Sequence, residues 1–156
     1  MKQILSILLF IVTISTYSQN SDCGVEDIVG LEKYVKLIYM KNPFDGVKII
    51  PYNSCDYIIG SGITSNGGNK NQSIKDRISS VKARRNVVTF LNGSTVSSET
   101  IITTGQKISD DRVSYFENYI DEIKENSSGF VNGMQTLTTF TASNGQDYVH
   151  ILFKKL

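Results

Sequence analysis

The chain has one histidine, His150, two cysteines, Cys23 and Cys55, and one adjacent arginine pair, Arg84 and Arg85. These are the side chains around which a chemical site could form. Catalysis at His150 needs a carboxylate or hydroxyl held against the ring. No G-x-S-x-G motif accompanies the histidine. Within "DYVHILF" it shares a strand face with Tyr148 and Leu152, while Val149, Ile151 and Phe153 take the other. A structural or half-exposed histidine is expected. The alternative is a small secreted hydrolase or ligand-binding domain with a pocket near His150. Two distant cysteines and one histidine far downstream do not have a zinc spacing. "NGGN", 66 to 69, lacks the phosphate-loop pattern, and no dinucleotide fingerprint is present. Asp110-Asp111 and Asp121-Glu122 read as helix-surface charges, with nothing to oppose them as an acid/base pair. No catalytic residue, metal or cofactor is assigned, and a non-enzymatic protein is expected.

The N-terminus explains the cysteines. "MKQILSILLFIVTISTYSQN" places a lysine before an apolar run from Ile4 to about Ile14, then small and polar residues. That is the layout of a secretory signal peptide. The run is too short to span a bilayer, which takes about 20 residues. Thr16 and Ser18 put small side chains where a signal peptidase needs them, so cleavage is expected between Ser18 and Gln19. In an exported protein Cys23 and Cys55 are expected to form a disulfide, contributing roughly 3–4 kcal/mol on the loop-entropy account. Acylation of Cys23 is the alternative, although Asp22 and Asn20 stand where a lipoprotein signal has a small and an aliphatic residue.

The mature chain, 19–156, suits one domain. Removing Lys2 leaves 15 basic residues against 15 acidic ones. A neutral chain has no excess charge for phosphate backbones, so nucleic acid is not an expected partner. Arg84 and Arg85 therefore read as a solvated or boundary pair, with contact to a protein partner as the alternative. Neighbouring helix positions point about 100° apart, so the two cannot serve one partner equally.

The elements that must position these residues follow from periodicity. In 25–41, Ile28, Leu31, Val35 and Ile38 fall at helical spacing, and Asn42-Pro43 ends the helix. A connector with a short extended piece, "VKII", precedes a strand over 56–64. Ser73 and Asp76 form a capping-box pattern for a helix over 74–92, with Ile74, Ile78, Val81, Val88 and Leu91 as its apolar stripe and Gly93 as its stop. From 95 to about 104 alternating β-branched residues predict a strand. A helix starts near Asp110 with Val113, Phe116, Ile120 and Ile123 as its stripe. Residues 130–142 and "DYVHILFKK" predict two strands joined at Asn144-Gly145. The fold class is α+β: a two-layer sandwich with helices on one face of a mostly antiparallel sheet, plus an extra N-terminal helix. Residues 1–18 form the signal, 19–54 the N-terminal helix and connector, and 55–156 the α+β domain.

The words at the joints are "YIIGSG" at 57–62, "KARRNVVTFLNGSTVSSET" at 82–100, "SSGFVNG" at 127–133 and "NGQDYVHILF" at 144–153. In this order they resemble the Lpp-twenty family of small bacterial envelope lipoproteins, and are similar to the related N-terminal domain of flagellar assembly protein T. The resemblance implies a structural or protein-binding role in the bacterial envelope, periplasm or secreted fraction, with no catalytic residues to carry over. The expected partner is an envelope or secreted protein, with no transmembrane span in the mature chain and a homo-oligomer as one arrangement.

Overall fold

The computed structural model describes residues 27–67, 71–93, 96–102 and 108–156. The expected cleavage residues, Ser18 and Gln19, lie outside them, as does Cys23.

Helix α1 (Ile28–Lys41) leads into a hairpin of β1 (Val47–Tyr52) and β2 (Cys55–Ser65). The two-residue turn puts Asn53 and Ser54 in the left-handed region, φ 50° and 62°, which matches the twist of paired strands. The connector expected around "VKII" is thus a full edge strand. Then come α2 (Gln72–Gly93), α3 (Asp110–Lys124), the short α4 (Ser127–Asn132), β3 (Gln135–Thr141) and β4 (Asp147–Lys155). The four strands form an antiparallel sheet in the order β1-β2-β4-β3. Gly145, φ 67°, closes the last hairpin, where the Asn144 side chain accepts the N–H groups of Gln146 and Asp147.

The α+β class holds, and the N-terminal helix adds a third layer. On one face Ile49, Ile58 and Leu152 pack against α2, α3 and α4 through Ala83, Val87, Phe116, Ile120 and Phe130. On the other, Ile50, Tyr57, Ile59, Val149 and Ile151 meet Leu31, Val35 and Tyr39 of α1. Covered on both faces, β4 is buried continuously from Tyr148 to Phe153.

The sheet-facing side of α2 departs from the apolar pattern. Its buried residues are Ser79, Ala83, Val87, Phe90 and Leu91, while Ile74, Val81 and Val88 are exposed. Two glycines of β2 are the cause. A Cβ on Gly62 would lie 2.2 Å from the Ser79 carbonyl oxygen and 2.4 Å from the Ala83 nitrogen, and one on Gly60 would lie 2.4 Å from Val87 Cγ2. Such close approach admits small side chains, so the helix turns its small-residue side inward. Its N-terminus also differs: the Asn71 side chain, rather than Ser73, accepts the Ile74 N–H at 3.0 Å, and Gly93 is the last helical residue.

The strand expected over 95–104 reduces, among the described residues, to one parallel bridge between Ile101 and Ile49. Thr100 N–H instead donates to the Ser97 carbonyl, and the Thr100 hydroxyl oxygen accepts the Ser97 N–H. Hydroxyl side chains that satisfy the local backbone compete with a sheet ladder. The strand expected from 130 begins at Gln135, because "SSGFVN" forms α4, capped by Asn126.

Candidate functional site

The polar side chains that the fold brings together lie between α2 and the β3–β4 pair. His150 stands opposite Gly62 on β2 and Thr139 on β3. Gly62 lets the α2 backbone come down onto the sheet beside it, and the ring occupies a site only 6% exposed. Its Nε2 is 3.0 Å from the Thr136 hydroxyl. Its Nδ1 is buried with no hydrogen-bond partner among the described residues. Two residues away along β4, the Tyr148 hydroxyl donates to the Asp76 carboxylate of α2.

The electrostatics follow from this enclosure. Burial pushes the His150 pKa down; the Asp76 carboxylate opposes that shift and the Arg84 guanidinium adds to it. Burial, and then the bond to Asp76, raise the Tyr148 pKa. A neutral imidazole, a hydroxyl and a carboxylate thus occupy one layer. The carboxylate is engaged by tyrosine rather than by histidine, and the ring is almost fully enclosed. The Tyr148–Asp76 contact ties α2 to β4.

Arg84 and Arg85 separate as their 100° offset requires. Arg84 Nη1 donates to the Val131 carbonyl at 2.7 Å, and Lys154 Nζ donates to the Phe130 carbonyl at 3.2 Å while lying over the Phe130 ring. Two cations thus reach the carbonyls at the end of α4, adding to the bonds that the Gly133 and Met134 N–H groups make to them, on the side of the helix dipole that favours positive charge. Arg85 is exposed on the outer side of α2. Arg84→Gln is expected to lower stability by about 1–2 kcal/mol, as the loss of a charged hydrogen bond does. Arg85→Gln should stay within about 0.5 kcal/mol of the native chain. Urea unfolding of both compares them, and equal effects would refute the assignment of Arg84 to α4.

Three further side chains hold the frame, and nothing local in the sequence marks them. The buried Ser61 hydroxyl donates to the Phe44 carbonyl at 2.6 Å and accepts the Gly46 N–H. Asn86 Nδ2 donates to the Ser61 carbonyl and to Asp45. Asp76, expected in a capping box, goes to Tyr148 instead. Each contact spans at least 15 residues of sequence. Beside the last hairpin a cleft of about 220 Å³ lies between Tyr39 and Met40 of α1, Pro43 after it, and Asn144 and Asp147. It is smaller than most ligand pockets. Burial, with Asp147 and Asp45 nearby, pushes the Tyr39 pKa up to about 12.

Cys55 is buried at the start of β2, and the Cys23 side of the expected disulfide is outside the described residues. No group of three or more metal-ligating side chains occurs among the described residues. No helix among them is long and apolar enough to cross a membrane. No protein-family model, curated protein or solved structure matches the chain.

Proposed function

We propose that this chain is an exported, non-enzymatic protein of the bacterial envelope or secreted fraction that works by binding another protein through the outer edge of β3. The edge is the observation that carries the reading. The strand ends the sheet, and no strand pairs with its outer side among the described residues. Its sequence, QTLTTFT, has neither charge nor proline, the two devices that most often block an exposed edge. The register shift between Thr136 and Thr138 bends only its first part. The opposite edge is different: β1 carries Lys48 and Pro51, Ile49 is bridged to Ile101, and Lys48 Nζ donates to the Glu99 carbonyl.

Export is supported by the signal-like N-terminus and the even number of cysteines, and the envelope role by the resemblance to the Lpp-twenty family. The burial of His150 supports a non-enzymatic reading over a hydrolytic pocket, and the formal neutrality of the mature chain supports a protein partner over nucleic acid. Mass spectrometry of the full chain expressed in a bacterium should find an N-terminus at Gln19 and, after unfolding without reductant, no free thiol. Two free thiols, or an acyl mass on Cys23, would overturn that part of the proposal.

The edge has its own test. Ala142 N–H donates to the Asp147 carbonyl, so by alternation the Thr139 and Thr141 N–H groups point outward. Proline is tolerated where the N–H faces away from the sheet. Thr141→Pro should therefore fold normally yet lose the partner that the native chain retains after cross-linking in a periplasmic and membrane fraction. Equal capture by Thr141→Pro, or no captured partner for the native chain, would count against the edge as the binding surface.

A further inference from the structure

The outer side of α2 is the second surface without a partner. At 100° per residue, Ile74, Arg77, Val81, Arg85 and Val88 fall within one arc of about 100°, directly opposite the buried Ser79, Ala83 and Val87. Val81, at its centre, is 60% exposed. The helix carries five bases and one acid. Lys75, Lys82 and Arg84 are held by Asn66, the Ile63 carbonyl and the Val131 carbonyl. Arg77 and Arg85 make no such contact among the described residues and flank the exposed valines.

The outer side of α3 is its chemical complement. This helix carries five acids and two bases. Phe116 and Ile120 face the core. Asp111, Tyr115, Asn118 and Glu122 fall on the outer arc, and Tyr115 is 58% exposed. Arg112 is engaged inward by Asp56 at 2.9 Å, and Lys124 pairs with Asp121. An aromatic ring bordered by carboxylates thus faces outward on one helix, and valines bordered by guanidinium groups face outward on its neighbour. Both helices bury their opposite sides in the same core, so the two surfaces cannot meet within one chain.

We infer that the outer face of α2 docks on the outer face of α3 of a second copy of this chain, so that the protein self-associates head to tail. The two surfaces differ, so the contact is heterologous and propagates into a chain or ring instead of stopping at a two-fold dimer. A single helix-on-helix contact is at the small end of specific interfaces, and a dissociation constant in the micromolar range or weaker is expected. The cationic face does not by itself suit an anionic membrane, because the carboxylates of α3 lie in the same layer. This inference rests on the protein-binding reading above but uses a different surface from the β3 edge.

Sedimentation velocity of the full mature protein across protein and salt concentration tests it. Average mass should rise with concentration, and raising NaCl from about 0.05 to 0.5 M should weaken association roughly tenfold. The double variants Val81→Ser/Arg85→Ser and Tyr115→Ser/Glu122→Ser alter exposed positions only and should each remain monomeric with native circular dichroism. Mixed together, each supplies the face the other lacks, so a one-to-one dimer and nothing larger should form. A native chain that stays monomeric throughout, variants that assemble like it, or a monomer that binds anionic phospholipid vesicles through Arg77 and Arg85 would each overturn the inference. Thr141→Pro should self-associate normally. Loss of partner capture by that variant alongside failed self-association would leave the β3-edge reading standing.

Discussion

Gly62→Ala is expected to be among the most damaging single substitutions in the chain, and Gly62→Val to prevent folding. The added Cβ would sit 2.2 Å from the Ser79 carbonyl oxygen, 2.4 Å from the Ala83 nitrogen and 3.0 Å from the Ala83 Cα. All three are backbone atoms of α2, so relief requires moving the helix, and with it the Val87 and Leu91 contacts to the sheet. Overpacking typically costs about 1–3 kcal/mol when side chains can give. Here none can, and a loss of about 3 kcal/mol or more is expected from a domain whose total stability is on the order of 5–15 kcal/mol. Gly60→Ala should cost less, since the nearest obstacle is Val87 Cγ2 at 2.4 Å, the end of a side chain. Gly93→Ala meets nothing within 4 Å and should stabilise by up to about 1 kcal/mol through helix propensity. Urea unfolding of the three variants orders them, and a Gly62→Ala protein within about 0.5 kcal/mol of native would mean that α2 does not rest on β2 in this way.

The same contact explains how far the fold was legible in the sequence. Where burial is achieved by large apolar residues at regular spacing, the pattern reads correctly. The stripe of α3 buries Phe116 and Ile120, with Val113 and Ile123 packed beside them. The α1 stripe holds at Leu31 and Val35, with Ile28 and Ile38 at its margin. In α2 apolarity points the wrong way, because the space over Gly60 and Gly62 selects for small size. Ser79 is fully buried, its hydroxyl satisfied by the Lys75 carbonyl at 2.7 Å, while Val81 faces outward. A glycine pair spaced two apart on a strand was the available signal, but only pairing with β4 and packing under α2 give it meaning. The polar cluster was less legible still. The Asp76–Tyr148 contact joins residues 72 apart and the Thr136–His150 contact residues 14 apart, so neither falls within a local motif. The even split of His150 and Val149 between two strand faces was correct, but both faces proved to be buried.

His150 should make the protein acid-labile in a window where little else titrates. It is the only histidine in the chain. The unfolded ring has a pKa of about 6.5, and in the folded protein burial lowers it. Above pH 6.5 both states hold a neutral ring and stability is at its full value. As pH falls below 6.5 the unfolded chain takes up a proton that the folded chain refuses. Stability then declines by up to about 1.4 kcal/mol per pH unit until the folded pKa is reached. Carboxylates contribute mainly at lower pH: Asp27, held down first by the Gly30 N–H, and Glu32, held down first by Lys36, lose their stabilising contacts only as pH falls through the ordinary carboxylate range or below it. His150→Gln should flatten the profile between pH 5 and 7 whatever its offset, since the new side chain does not titrate. The physical cause is specific to the cluster. A protonated ring has two N–H groups to place, and among the described residues only the Thr136 hydroxyl, 3.0 Å from Nε2, is bonded to it. Asp76 could compensate, but Tyr148 holds its carboxylate, and Arg84 adds like charge. A rise in stability between pH 7 and 5, read by chemical denaturation, would mean that the folded protein does not disfavour the protonated ring.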